Sequence, residues 1–184
     1  MKTLIISGHP DLKNSVANAA ILDEFNKHLP DAEIRKLDEL YPDGNIDVEA
    51  EQAALKEADL IVWQFPFWWY TLPWLMKKWL DLVFVHGFAH GSTAVLGGKK
   101  LLISLTTGAP SFCYTGKADA LGDIDKMMEM YRSLALVCKL DYQGAMFLHE
   151  VSYAGREDTA LIAKQEEMSR EYAKTVIEKI NSLA

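Results

Sequence analysis

Cysteine is scarce in this chain of 184 residues: Cys113 and Cys138 are the only two. They form no CxxC pair and no disulfide framework, so any redox chemistry has to come from a cofactor. Positive charge is also short, with 19 basic against 26 acidic residues and a net charge of −7. That leaves no basic stripe for a phosphate backbone and predicts no nucleic-acid partner. Long apolar runs are missing too. The candidate between Trp63 and Val85 is interrupted by Pro66 and Pro73 and holds Lys77, Lys78 and Asp81, which excludes a membrane-embedded segment there. The opening Met1-Lys2-Thr3-Leu4-Ile5-Ile6-Ser7 reaches a turn at Gly8-His9-Pro10 without the apolar region of a secretion signal, and a cytoplasmic location is expected. No internal repeat or low-complexity tract is visible, and 49% hydrophobic content suits one core, hence one domain over 1–184.

What the chain does have is an unusual turn. The apolar run Leu60-Ile61-Val62-Trp63 leads into Phe67, Trp68, Trp69 and Tyr70, consecutive between Pro66 and Pro73 and followed by Trp74. Surface turns favour Gly, Asn, Asp and Ser, which tolerate water and unusual backbone angles. Aromatics beside a buried strand can fill a core, but four adjacent rings cannot share one face of a strand or helix. Downstream, Leu75, Met76, Trp79, Leu80, Val83 and Phe84 recur at helical spacing opposite Lys77, Lys78 and Asp81, so that helix accounts for its own apolar face. The turn therefore points to a planar ligand, a partner subunit or both.

Strand and helix signals alternate along the chain. Strands are expected at Lys2 to Ser7, Ala32 to Leu37, Asp59 to Phe65, Lys100 to Thr106 and Leu140 to His149. Helices are expected at Ser15 to Leu29, Val48 to Ala58, from Leu72 onward, Asp119 to Val137 and Arg156 to Ile180. Tyr41 to Asn45 reads as a turn. Alternation of this kind argues for a three-layer α/β fold, a parallel sheet covered on both faces, because each parallel return needs a crossover of helical length. Five strands fit the flavodoxin-like order 2-1-3-4-5, with a ligand site at the carboxyl ends of strands 1 and 3.

In a parallel sheet the loops after strands 1, 3 and 4 emerge on one edge. The first, from Gly8 through His9 to Ser15, Val16, Ala17 and Asn18, enters a helix whose free N–H groups suit a phosphate. There His9 supplies a hydrogen bond or a partial charge according to its protonation. Asn14 or Ser15 acting only as a helix cap is the plainer alternative. The second loop is the aromatic turn. The third, from Thr106-Thr107-Gly108-Ala109-Pro110 through Ser111, Phe112 and Cys113 to Tyr114, carries hydroxyls and a glycine that permits close backbone approach. Together they match a phosphorylated planar ligand, and a flavin mononucleotide has those parts.

Certain blocks are more specific: Gly8-His9-Pro10, Ser15 to Asn18, Leu40-Tyr41-Pro42-Asp43, Glu51-Gln52, Ala58 through Pro66, Trp69-Tyr70, Pro73, Gly87-Phe88-Ala89 and Thr106-Thr107-Gly108. In these the chain resembles the flavin-dependent NAD(P)H:quinone oxidoreductases of flavodoxin-like fold, which include DT-diaphorase and the KefF-type ancillary proteins of potassium efflux. The resemblance implies a flavin phosphate held by His9, Ser15, Val16, Ala17 and Asn18. It implies a ring bordered by Phe67, Trp68, Trp69 and Tyr70 on one side and by Thr106, Thr107, Gly108 and Ala109 on the other. Tyr114 falls where DT-diaphorase has a tyrosine at its nicotinamide and quinone site, with Ala120 in place of the histidine found there.

The implied reaction is ping-pong hydride transfer from NADH or NADPH through FMN, with FAD as the alternative, to a quinone or similar acceptor. The implied assembly is a homodimer, and a KefF-like role would add a potassium efflux antiporter as partner. A one-electron carrier of flavodoxin type is the remaining alternative, against which His9-Pro10 stands where that group has a Ser/Thr-rich phosphate loop. His86 and His90 form an H-x3-H pair without a third ligand of suitable spacing, so no metal site is expected.

Overall fold

In the computed structural model, which describes residues 1–184, β1 (Thr3–Ser7) is wholly buried and pairs in parallel with β2 (Glu33–Lys36) on one side and β3 (Leu60–Pro66) on the other. β4 (Lys100–Thr106) and β5 (Asp141–Leu148) extend the sheet to the order 2-1-3-4-5, as the sequence predicts. Continuous apolar strands such as Leu60-Ile61-Val62-Trp63 suit a sheet covered on both faces, whereas β2, half-buried at every position, is an edge strand.

Six α-helices cover the sheet: α1 (Ala17–His28), α2 (Leu37–Leu40), α3 (Val48–Glu57), α4 (Trp74–Val83), α5 (Ile124–Val137) and α6 (Thr159–Ser182). α1 and α6 pack with Ile5, Val62 and Leu102 on one face, through Ile21, Phe25, Tyr172 and Val176. On the other face Trp63 lies edge-on to Trp79 of α4 and Tyr131 of α5, at centroid distances of 6.1 and 6.3 Å.

Most boundaries move by one or two residues, and three of the departures have a local cause. Leu37, read as the end of an edge strand, instead opens the single turn α2. α5 starts at Ile124 and not Asp119, because Gly122 breaks the chain and Asp123 caps the helix, accepting from the Lys126 amide at 3.3 Å. α6 starts at Thr159 and not Arg156, since Asp158 accepts from the amides of Ala160 and Leu161 at 2.9 and 3.1 Å. Residues 149–158 are thereby left as a loop at the carboxyl edge of the sheet.

Candidate functional site

That edge holds a cavity of about 600 Å³, within the size range of cofactor sites. It opens where β1 and β3 lie side by side and their connections leave in opposite directions, the position at which open α/β sheets bind ligands. Four loops line it, following β1, β3, β4 and β5.

The first loop passes beneath α4 so closely that a Cβ on Gly8 would come within 2.9 Å of Met76 Cβ. Only glycine fits there. His9, buried behind it, accepts the Asp11 amide proton on Nδ1 at 3.1 Å, which puts its own proton on Nε2. Burial holds its pKa down to about 4, so His9 enters the site as a neutral donor and not as a cation. Ser15 Oγ accepts from the Asn18 amide at 3.1 Å and so does serve as a cap, with its own hydroxyl proton left over. The Val16 amide finds no carbonyl within the chain. Arg156 is the one cationic side chain in the lining. Asp11, the one carboxylate, is tied to Asn14 Nδ2 at 2.7 Å. Unpaired amides, a hydroxyl, a neutral imidazole N–H and a guanidinium form a lobe that fits a phosphate.

The second loop is a tight turn in which the Thr71 amide donates to Trp68 O at 3.0 Å. Its central residues, Trp69 and Tyr70, have φ of 48° and 64°. Two bulky residues in the left-handed region cost roughly 1–2 kcal/mol each. Phe67 is buried, whereas Trp68 and Tyr70 are exposed and Trp69 is 91% exposed. The rings thus divide between core and solvent, as their adjacency requires.

The third loop presents Thr106, Thr107 and Gly108. Gly108 packs against Ser152 of the loop after β5, where an added Cβ would meet Ser152 Cα at an ordinary 3.5 Å. Ala109 lies behind this wall. It packs on the core and does not line the cavity, and its carbonyl accepts from Thr107 Oγ1 at 2.9 Å. Because Thr107 gives its proton there, its 2.8 Å contact with His149 makes His149 Nδ1 the donor. The His149 ring stacks on Tyr114 with centroids 5.5 Å apart and planes 29° apart. Burial lowers the His149 pKa and raises that of Tyr114, so both are neutral near pH 7.

Residues 1–173 match the family model of the flavodoxin-like fold. General stress protein 14 of Bacillus subtilis (strain 168) is 36% identical over 166 residues, covering 90% of this chain and 94% of its own. This chain belongs to the flavodoxin-like family. Among solved flavodoxin-like structures, the general stress protein 14 of Treponema denticola in complex with FMN superposes with a TM-score of 0.83 at 31% identity, over 97% of this chain and 99% of that one. An NADPH-quinone reductase from P. pentosaceus superposes with a TM-score of 0.73 at 26% identity, over 92% and 98%.

Of the residues singled out from the sequence, this flavodoxin-like cavity gathers His9, Ser15, Val16, Ala17, Asn18, Phe67, Trp68, Trp69, Tyr70, Thr106, Thr107, Gly108 and Tyr114, and leaves out Ala109. It adds Val151, Ser152, Tyr153, Arg156 and Gln165. The rule applied to strands 1, 3 and 4 extends to strand 5 and would have found the first four. Gln165 is buried on α6 and donates to Ser152 O at 2.9 Å, a role that its helical position does not announce. His86 and His90 lie away from the cavity with ring centroids 5.4 Å apart, and no third His, Cys, Asp or Glu joins them.

Proposed function

We propose that this protein is an FMN-dependent NAD(P)H:quinone oxidoreductase. The observation that carries the reading is the meeting of two unlike walls in one cavity. The lobe around His9, Ser15 and Arg156 offers donors and positive charge, and beyond it a strained aromatic turn faces the hydroxyl-bearing loop at Thr106 to Gly108. A phosphorylated, planar and polar-edged ligand matches all of these, and FMN-bound and NADPH-quinone reductase relatives of high structural similarity agree with it.

When bound, FMN supplies the two-electron chemistry that joins NAD(P)H to an acceptor. The chain's own share is placement and protonation. The amides and hydroxyls of the first loop fix the phosphate. The Trp68 to Tyr70 turn forms a wall against which a flat ring stacks, keeping water from the reacting face. Reduction of a quinone takes up a hydride and a proton, and we assign the proton to the Tyr114 hydroxyl, which lines the cavity and stays protonated at neutral pH. The His149 ring stacks on that of Tyr114 and holds it in place.

The exposed rings of Trp69, Trp74 and Phe112 make a monomer an unsuitable end state, and a second copy of the chain is the proposed cover. Light scattering should give twice the chain mass, and a monomer at micromolar concentration would remove the dimer. The function is tested by loading purified protein with FMN and following NADH and NADPH oxidation with a panel of quinones. Flavin-loaded protein inert with all of them would refute the catalytic reading. Tyr114→Phe should lower kcat about a hundredfold or more with FMN affinity unchanged.

A further inference from the structure

Beneath the cavity floor a line of buried polar side chains runs from α6 across the sheet, and it has one direction. Tyr172 OH lies 2.8 Å from Ser104 Oγ; Ser104 Oγ donates to Gln64 Oε1 at 2.5 Å; Gln64 Nε2 donates to Asn18 Oδ1 at 3.0 Å; and Asn18 Nδ2 donates to Thr106 Oγ1 at 3.1 Å. Ser104 has one proton and gives it to Gln64, so Tyr172 must be the donor at the first link. The opposite order would flip both amides and leave the Tyr172 proton without an acceptor among the apolar side chains of α1 and α6. An unmet donor there costs about 1–3 kcal/mol. In the observed order the Thr106 hydroxyl keeps its proton, as Gln64 Nε2 and Asn18 Nδ2 each keep a second one, and Thr106, like Asn18, is on the cavity wall. No protein acceptor receives the Thr106 proton, although Thr106 is 4% exposed.

We infer that this line leaves the Thr106 hydroxyl with its proton to give, so that the floor of the cavity favours a hydrogen-bond acceptor of the bound nucleotide: a ring carbonyl oxygen, a ring nitrogen without hydrogen, or a ribityl or phosphate oxygen. Thr106 is the contact. Gln64, Ser104 and Tyr172, which do not line the cavity, are positioning residues that set which way it points. The inference rests on the flavin reading and gives it a polarity.

The test is FMN affinity, read as quenching of flavin fluorescence by apoprotein, together with the visible spectrum of the complex. Thr106→Val should weaken binding roughly three- to tenfold, the worth of one hydrogen bond, and Thr106→Ser should bind like the wild type. Ser104→Ala removes the donor that orients Gln64. It should weaken FMN binding at least about twofold when Thr106 is present and leave it unchanged in the Thr106→Val background. A merely structural role for Ser104 would give the same loss in both backgrounds and would overturn the positioning claim. Wild-type protein that binds FMN no better than Thr106→Val overturns the donor claim while leaving the flavin reading intact. Wild-type protein that binds no FMN removes both.

Discussion

Two buried polar networks lie on opposite faces of this sheet, and they end differently. On the α3–α4 face Glu51, fully buried, takes Arg35 Nε and Nη2 at 2.8 and 2.6 Å and Tyr41 OH at 2.6 Å on one oxygen, and Trp79 Nε1 at 2.8 Å on the other. Every partner is the protein's own. On the α1–α6 face the line from Tyr172 to Thr106 ends at the cavity with a proton still to give. A network closed on itself fixes helices and strands; one left open toward a cavity fixes a ligand. The distinction separates residues whose loss should lower stability from those whose loss should lower affinity.

The closed network is the easier to break. Glu51→Ala strands the Arg35 guanidinium, the Tyr41 hydroxyl and the Trp79 indole at once, and should cost about 3 kcal/mol in urea unfolding. A loss under about 1 kcal/mol would mean that water replaces Glu51 and that the network is not closed.

Protonation of His9 acts on the open side with a similar size. Its native pKa of about 4 lies below the unfolded 6.5, so the unfolded chain binds the proton more readily. The contribution is complete above pH 6.5 and is lost as pH falls toward 4, by up to about 3 kcal/mol. Urea midpoints between pH 7 and 4 should fall more steeply in the wild type than in His9→Asn, which keeps an acceptor for the Asp11 amide but does not titrate. Parallel curves would contradict the burial of His9. Tyr172→Phe, which takes the first donor from the line, is smaller again. It should cost about 1 kcal/mol in urea unfolding and, because nothing then fixes the direction of the Ser104 proton, weaken FMN binding as well.

Much of the fold and of the cavity could be read from residue types, although neither polar network could. Continuous apolar strands alternating with helical periods dictate the parallel three-layer fold, and the loops after three strands yield thirteen of the cavity's lining residues, Tyr114 included. What escaped depends on distance along the chain. Arg156 was absorbed into a helix because a polar stretch rich in helix formers hides where Asp158 caps it. His149 meets the third loop only because β4 and β5 are neighbours, which brings Thr107 and His149 within 2.8 Å. Gln64 and Ser104 look like polar interruptions in apolar strands until the register of β3 on β4 places them opposite one another. Local patterns carry faces and turns, whereas polar networks across strands are set by register.

The smallest effect on stability should come from the most conspicuous residue. Trp69 is 91% exposed and sits at φ 48°, so folding gains little from its ring and loses something to its backbone. Trp69→Gly should leave the urea midpoint unchanged or slightly raised, because glycine adopts a positive φ without the steric cost of a side chain. If that ring instead covers a flavin or a second subunit, the same change should weaken FMN binding and the dimer together. A variant that unfolds earlier yet keeps both would place Trp69 with the Glu51 network, as structure, and would dissolve the division between the two halves of the molecule.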